Sequence, residues 1–531
     1  MGIVIKNFSY AHTDHTILFQ DLNLIINTGE KVNLIGANGM GKSTLLNILA
    51  QASSTPIPSI HIEGNVYYLP QLNKQKTASQ SVEIAMGIAQ KRKALQNILN
   101  GSVDEQDYTD LNDDWTIEER TTEALHYWDI AQFDLSTPMH SLSGGQQTRV
   151  YFATIMLQQP DIVLLDEPTN HIDQETREKF YHFISTYKGT VIVVSHDIEL
   201  LNKQEITYEV SGKKATRYTG NYDSYKQQKE VHIQSLQTKI DNLNKDIKQV
   251  KIEQQKLKQK QIKAVAQNKK AEQKAGLPKI MINAFKNAAE NSSAKATEVQ
   301  NSRQQKAQEE LRDVRLQVEQ LKPFNLSFHN TSLHNNKVLW ELQEVNFAYT
   351  EQQNIWSVNL NLEIRSGERL IIKGKNGSGK STLLNLLTGK LQPTIGQIQQ
   401  HSNRVIYLDQ FYSLLQQDFT LLDQIKEYNS LALTEVELKN LLFQYGLPTH
   451  LWDKQVNCLS GGECLRLAIC CINLSQPQID ALLLDEPTNN LDIYGIESLF
   501  KAISQYNGTI ILISHDSELQ KHLGESRVIE L

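Results

Sequence analysis

The feature that most narrows what this chain can fold into is an internal repeat. Gly36-Ala-Asn-Gly-Met-Gly41-Lys42-Ser43 returns as Gly374-Lys-Asn-Gly-Ser-Gly379-Lys380-Ser381. Leu142-Ser-Gly-Gly-Gln146 returns as Leu459-Ser-Gly-Gly-Glu463. Ile162-Val-Leu-Leu-Asp166-Glu167-Pro-Thr-Asn170 returns as Ala481-Leu-Leu-Leu-Asp485-Glu486-Pro-Thr-Asn489, and Val193-Val-Ser195-His196-Asp197 as Leu512-Ile-Ser514-His515-Asp516. The order is the same in both halves, so two tandem copies of one α/β domain are expected, 1–225 and 323–531.

The segment between them, 226–322, has another composition. It carries 21 Lys and Arg against 11 Asp and Glu, a net of +10 that leaves −17 for the rest of a chain whose total is −7. Leu236, Ile240, Leu243, Ile247, Val250 and Leu257 alternate four and three apart, with Gln254 in the remaining slot, and a second seam returns at Leu311, Val314, Val318 and Leu321. Such a/d spacing predicts paired helices. Gly276-Leu277-Pro278 interrupts the two, so the reading is a basic helical hairpin with its tip at about 265–290. A helix of about 36 residues would reach roughly 50 Å.

Several function classes drop out. The apolar runs are short, as in Val191 to Val194, and a membrane-spanning helix needs about 18 to 20 apolar residues. The start, Met1-Gly-Ile-Val-Ile-Lys6, enters an alternating strand pattern, is not a signal peptide and lacks the Ser or Thr of a myristoylation motif at position 6. All four cysteines fall between Cys458 and Cys471, spacing that suits neither a disulfide framework nor a zinc site. A cytoplasmic protein without a membrane segment is expected.

The repeated motifs carry phosphate chemistry. Each glycine loop follows a strand-like run (Lys31 to Ile35; Arg369 to Lys373) and precedes a helix-like one. In that setting glycines let backbone N–H groups wrap phosphates at a helix N-terminus. Gly36, Asn38, Gly39 and Gly41 form the first loop and Gly374, Asn376, Gly377 and Gly379 the second. Lys42 and Lys380 are the β- and γ-phosphate ligands of this reading, with Thr44 and Thr382 beside them. Ser43 and Ser381 would place a hydroxyl on Mg²⁺. Asp166 and Asp485 end apolar runs typical of buried parallel strands, where an acid meets ligand at the strand's C-terminal end. They are the expected Mg²⁺ ligands. Glu167 and Glu486 are placed to polarise the attacking water, the other reading being two acids that open a turn before Pro168 and Pro487. His196 and His515 end a further apolar strand in both copies and are candidate catalytic groups, against the ordinary structural reading of a lone His.

A Leu-Ser-Gly-Gly element between the glycine loop and Asp-Glu-Pro-Thr-Asn resembles the signature of ATP-binding-cassette (ABC) ATPases, and the resemblance covers both halves. It implies two ATPs sandwiched head to tail within one chain, a functional monomer. Ser460, Gly461 and Gly462 would complete the site of Lys42, and Ser143, Gly144 and Gly145 that of Lys380. Gln71 and Gln410 resemble the glutamines that sense Mg²⁺ and the attacking water, although Asp409 stands in the second copy where the first has Pro70. Tyr10 and Tyr349 resemble adenine-stacking aromatics, the alternative being plain strand aromatics. Asp173 and Asp492 match the acids that cross the interface between cassettes.

Two cassettes fused through a charged hairpin, with Asp-Glu-Pro-Thr-Asn-His171-Ile-Asp173 in the first, resemble the ABC-F branch; Asn490 replaces His171 in the second. Tyr218-Thr-Gly-Asn-Tyr222-Asp-Ser-Tyr225 also resembles an ABC-F element. That resemblance implies binding to the bacterial 70S ribosome at the tRNA exit site, with the linker pointing along the P-site tRNA towards the peptidyl-transferase centre. Lys269, Lys270, Leu277, Lys279, Met281 and Phe285 at the tip would then meet 23S rRNA and tRNA. Apolar residues at a loop tip are a liability unless they meet something. This long tip resembles resistance members that displace ribosome-targeting antibiotics. The first copy also holds about 22 more residues than the second between its glutamine and its signature Ser, within about 90–125 and including acidic 104–114, a short version of the arm of housekeeping translation factors. Displacement of antibiotics is the favoured reading and a housekeeping factor the second. A transporter ATPase has no use for the basic hairpin, and DNA-organising ATPases insert their coiled coils within a cassette.

Overall fold

The computed structural model describes residues 2–12, 17–71, 80–170, 172–272, 302–315, 318, 326–328, 331–334, 336–349, 354–375, 377–475, 478–488, 491–514 and 516–531, and within 257–272 chiefly the backbone. The chain divides into two units, Met1–Asp223 with Pro323–Leu531, and Ser224–Lys322.

The first copy runs β1 (Ile3–Ala11), β2 (Ile17–Ile26), β3 (Lys31–Ile35), α1 (Lys42–Ser54), β4 (Ile60–Ile62), β5 (Val66–Leu69), α2 (Val82–Ala85), α3 (Ala89–Leu99), α4 (Glu105–Leu111), α5 (Ile117–Tyr127), α6 (Gly144–Gln158), β6 (Ile162–Asp166), α7 (Gln174–Thr186), β7 (Thr190–Val194), α8 (Ile198–Asn202), β8 (Ile206–Ser211) and β9 (Lys214–Thr219). The joining segment forms α9 (Tyr222–Glu272) and α10 (302–315). The second copy follows with β10 (Val338–Asn346), β11 (Leu360–Arg365), β12 (Arg369–Lys373), α11 (Lys380–Leu387), β13 (Ile395–Gln400), β14 (Val405–Leu408), α12 (Leu421–Glu427), α13 (Glu435–Gln444), α14 (Gly461–Ser475), β15 (Ala481–Asp485), α15 (Ile493–Gln505), β16 (Thr509–Ile513), α16 (Ser517–His522) and β17 (Arg527–Glu530).

Each copy has one mainly parallel sheet, β5-β6-β7-β3-β8-β9 and β14-β15-β16-β12-β17, and one three-stranded antiparallel sheet, β2-β1-β4 and β11-β10-β13. The central strands β6, β7, β15 and β16 are buried at every position, as strands covered on both faces must be, which is why they read as continuous apolar runs. Parallel register sets Asp166 beside Val194 and Asp485 beside Ile513. The acids and the Ser-His-Asp segments therefore leave the sheet side by side at its C-terminal edge, where open α/β sheets bind ligands.

The additional residues of the first copy fold as helices: α2 to α5 lie between β5 and α6, against α12 and α13 between β14 and α14. Part of the acidic stretch is structural. Asp104 caps α4 by accepting from Gln106 N at 3.0 Å, and Asp107 accepts from Asn97 Nδ2 and Ser102 Oγ at 2.9 and 2.6 Å.

In the second unit Leu236, Ile240 and Ile247 form one buried cluster with Leu311, Val314 and Val318. Gln254 Nε2 donates to Gln304 Oε1 at 3.1 Å, so the polar slot of the seam meets a polar partner. The helix is longer than the seam predicts. α9 has 51 residues, about 77 Å at 1.5 Å each, and runs through 265–272, which the sequence assigns to the tip. Lys, Gln, Ala and Glu dominate 258–272, all good helix formers, and nothing there stops the helix. The remainder of the tip, with Leu277, Lys279, Met281 and Phe285, and the side chains of Lys269 and Lys270, lie outside the described residues. Among the described residues no helix is long and apolar enough to cross a membrane.

Candidate functional site

The site begins with a helix that lacks a side-chain cap. α1 starts at Gly41 and α11 at Gly379, both with left-handed φ (85° and 91°), and neither first turn carries a capping side chain or an acid. The opening N–H groups of each helix are thus left for an anion. A side chain at either glycine has no room: a Cβ on Gly41 would lie 2.5 Å from Leu18 Cδ2, and one on Gly379 2.5 Å from Ile355 Cγ2. Lys42 Nζ donates to Gly36 O at 2.7 Å and Ala37 O at 3.0 Å, and Lys380 Nζ to Gly374 O at 2.8 Å and Lys375 O at 3.0 Å. Each ammonium is folded back over its own loop. Burial lowers the pKa of both, against nearby carboxylates.

Beside the loop stand the two acids. Asp166 is buried, and burial pushes its carboxyl up against a hydrogen bond from Ser43 and the charge of Lys42. The matching Asp485 accepts from Tyr407 Oη at 3.2 Å. The next residues, Glu167 and Glu486, take left-handed φ of 51° and 47°, and their N–H groups donate to Val194 O and Ile513 O at 2.8 and 2.9 Å. Non-glycine residues adopt that conformation only where the surroundings impose it, often at functional sites. Glu167 Oε1 lies 3.0 Å from His196 Nε2, yet that oxygen and His196 Nδ1 are buried without a hydrogen-bond partner. Burial first, then the charge of Asp166, pushes the Glu167 carboxyl up to about 8. Burial and Lys42 hold the His196 imidazole well below its usual value, so it is neutral.

That acid gives a measurable sign. A carboxyl with a raised folded pKa binds its proton more tightly folded than unfolded, so its contribution is full below about 4.5 and is lost as pH rises towards about 8. Glu167→Gln removes the titration. In nucleotide-free protein the variant's Tm should exceed the wild type's by a gap that widens from pH 5 to pH 8 and flattens above. One fully coupled group contributes on the order of 1 kcal/mol per pH unit, a few degrees in Tm. Parallel Tm curves across that range would contradict the raised pKa.

The two copies meet at these sites. A cavity of 510 Å³ over Lys42 is lined by Asn38, Gly39, Gly41, Ser43, Thr44 and Gln71 of the first copy, with Asp166, Glu167 and His196. Ser460 and Gly461 of the second copy line the same cavity. Ser460 caps α14: its Oγ accepts from Glu463 N at 3.4 Å, while its N–H donates back to Glu463 Oε2 at 2.8 Å. Asp492 Oδ2 accepts from Asn38 N at 3.1 Å across the interface. The cavity of 580 Å³ over Lys380 holds Tyr349, Gly377, Gly379, Ser381 and Thr382, with Gln410, Asp485 and Glu486. Ser143, Gly144 and Gly145 do not line it, and Ser143 is exposed. Asp173, the repeat partner of Asp492, stays in its own copy at 2.6 Å from Arg149 Nη2. Gly36, Gly374 and Gly462 lie outside both cavity linings, and Asn376, His171 and His515 outside the described residues.

The aromatic candidates differ. Tyr349 lines its cavity, is 68% exposed and donates or accepts at Thr382 Oγ1 over 3.1 Å. Tyr10 does not line the first cavity; His12, edge-on to it with ring centroids 5.6 Å apart, does. Arg177 lines both cavities, with Nε 3.8 Å from Asp197 Oδ2, and was missed because its repeat partner is Ile496, so comparison of the copies gives no signal there.

For Mg²⁺ the donors fit a particular mode. Among the described residues no group of three or more His, Cys, Asp or Glu is arranged to hold a metal. The Ser43–Asp166 pair with Gln71 in the same cavity suits an ion held by one carboxylate and a hydroxyl with phosphates supplying the rest.

A glycine loop with its Lys, an Asp-Glu at a strand end and a second copy contributing Ser-Gly across the interface define a tandem P-loop ATPase. Residues 19–170 and 358–489 match the family model described as ABC transporter. The chain belongs to that family, and within it to the F family of ABC ATPases. It is 30% identical over 548 residues to ABC transporter F family member 4 of Arabidopsis thaliana, covering 97% of this chain and 71% of that protein. It is also 30% identical over 557 residues to the putative ATP-binding protein YdiF of Bacillus subtilis, covering 100% and 80%. Among solved structures, the archaeal ribosome recycling factor aABCE1, in complex with the ribosomal stalk protein aP1, matches with a TM-score of 0.55 at 18% identity over 99% of this chain and 87% of that one. At that identity the likeness is one of fold.

Proposed function

We propose that this ATPase works on the bacterial ribosome in the cytoplasm, closing its cassettes on ATP and presenting the basic hairpin to rRNA and tRNA. The observation that carries the reading is the hairpin: a 51-residue helix in a segment of net +10, set between two ATPase copies in an otherwise acidic chain. Phosphate-rich RNA favours such a probe through counterion release, and the acidic remainder discourages indiscriminate coating of RNA. The archaeal protein of like fold is itself a ribosome recycling factor, which supports the same class of partner.

In this reading the first-turn N–H groups and Lys42 or Lys380 hold the phosphates. Ser43, Asp166 and Gln71, and in the second copy Ser381, Asp485 and Gln410, hold Mg²⁺, which neutralises phosphate charge. Glu167 and Glu486 orient and polarise water, with His196 and His515 beside the γ-phosphate. Ser460-Gly461-Gly462 and Ser143-Gly144-Gly145 close the two sites from the opposite cassette, and Tyr349 and Tyr10 stack on adenine.

The finer reading is displacement of ribosome-bound antibiotics by the tip. A housekeeping translation factor is the second reading, favoured by the two additional helices between β5 and α6. The experiment is co-sedimentation with 70S ribosomes in ATP; recovery with membranes or duplex DNA instead would defeat the ribosome reading. Neutralising Lys269, Lys270 and Lys279 should flatten the salt dependence of binding by about 0.7–0.9 of slope for each phosphate that is no longer neutralised. Leu277, Ile280, Met281 and Phe285 changed to Ala should keep ribosome binding yet reduce drug protection in a susceptibility panel. Unaltered protection against every drug would leave the housekeeping reading.

A further inference from the structure

The Tyr218–Tyr225 element has no part in ATP chemistry, and the structure places it at the end of a chain of hydrogen bonds that starts in the Lys42 site. The chain runs through α15. Its cap, Asp492, accepts from Gly495 N at 2.8 Å with Oδ1 and from Asn38 N of the first copy's glycine loop at 3.1 Å with Oδ2. Two residues on, Tyr494 Oη donates to Glu209 Oε1 at 2.5 Å. Glu209 is 2% exposed, is shared with the Tyr218 hydroxyl, and sits in register beside Ile35, the residue before Gly36. One turn further, Glu497 Oε1 accepts from Tyr222 Oη at 2.9 Å. Tyr222 is 2% exposed and is the first residue of α9.

One 13-residue helix of the second copy thus touches the glycine loop of the first, the strand beside that loop, and the residue where the long linker helix begins. The arrangement is one-sided. On α7 the matching positions are Glu175 and Glu178; the Glu175 side chain is 82% exposed, and Glu178 accepts from Gln174 on its own helix.

We propose that α15 couples the nucleotide site on Lys42 to the interdomain linker, with Tyr494, Glu209, Glu497 and Tyr222 as positioning residues. Any shift of the Asn38 loop moves Asp492, and a helix held at its cap moves as one body, carrying Glu497 and so the first turn of α9. Hydrogen bonds to buried or half-buried carboxylates are short, directional and costly to leave unmade, which suits them to transmit a displacement. The inference rests on the reading of the Lys42 cavity as an ATP site.

The test is backbone hydrogen exchange on the full chain with Glu167→Gln and Glu486→Gln, with and without ATP, read at 36–44 and at 223–230. In that background ATP should slow exchange in both segments. Adding Tyr222→Phe or Glu497→Ala should leave the slowing at 36–44 and remove about fivefold or more of the slowing at 223–230, the size of an ordinary coupling between sites. Glu497→Gln keeps an acceptor oxygen and should retain the coupling. A purely structural tyrosine would speed exchange at 223–230 equally with and without ATP, and that result overturns the proposal. So does equal slowing at 223–230 in every variant. Absence of slowing at 36–44 in the background itself defeats the ATP-site reading, and the inference with it.

Discussion

Glu167→Gln combined with Glu486→Gln should lower ATP turnover by about 10²- to 10⁴-fold, the usual contribution of a positioned general base, while ATP binding is retained. The two functions separate because different groups carry them. In the proposed reading phosphate recognition lies with the uncapped starts of α1 and α11 and with Lys42 and Lys380, none of which the substitutions touch. The carboxylates stand one residue past the strand ends, their backbones held in a left-handed conformation by N–H bonds to Val194 O and Ile513 O. Gln keeps the shape and those backbone bonds and loses only the base. A nearly isosteric change also leaves the Asp166 and Asp485 carboxylates in place. Phosphate release measured beside equilibrium ATP binding tests this, and the trapped variant should stay on ribosomes through sedimentation in ATP. Turnover near the wild-type rate would mean that neither glutamate is the base.

The residues legible in the sequence are those whose chemistry demands one side chain at one spacing. Lys42 must follow its glycines, and Asp166 must end a buried strand, so both stand out twice. Conformation was not legible: nothing in Asp-Glu-Pro-Thr-Asn announces that Glu167 and Glu486 take positive φ, because the adjoining strand β7 or β16 imposes it. Pairings between distant segments were not legible either. Tyr494 and Glu209 are 285 residues apart, and the acid that accepts is an ordinary strand residue until the two copies meet. The repeat itself hid some of the site. Asp173 and Asp492 occupy matching positions of the repeat, yet one pairs with Arg149 of its own copy and the other with Asn38 of the opposite copy. Local sequence gives the same side chain; the interface decides its partner. The length of α9 was underestimated for the opposite reason. A polar run of good helix formers has no apolar stripe to mark it, so the pattern fades before the helix ends.

Ser460→Arg should weaken ATP binding at the Lys42 site by about tenfold or more, and at that site alone. Ser460 lies in the second copy but lines the first copy's cavity, and its hydroxyl and N–H are held by Glu463 at the start of α14. Arg removes the cap hydroxyl, worth about 1 kcal/mol to the helix. It also drives a long side chain into the turn that faces the phosphates, so steric exclusion adds to the missing cap; each 1.4 kcal/mol is a further tenfold. Favourable charge between the guanidinium and phosphate works in the other direction. It does not win, because the bound nucleotide has to occupy the space that the side chain fills between Ser460 and Lys42. Ser143→Arg is the matching change for the Lys380 site and should act differently. Ser143 is exposed and does not line that cavity, so initial ATP binding at Lys380 should be nearly unaffected and the loss should fall on closure and turnover. The measurement is ATP affinity and hydrolysis at each site separately, with the other site silenced by Lys42→Ala or Lys380→Ala. If Ser460→Arg weakens the Lys380 site and spares the Lys42 site, the head-to-tail pairing is wrong. If Ser143→Arg leaves turnover at the Lys380 site intact, the second site hydrolyses ATP without the opposing signature.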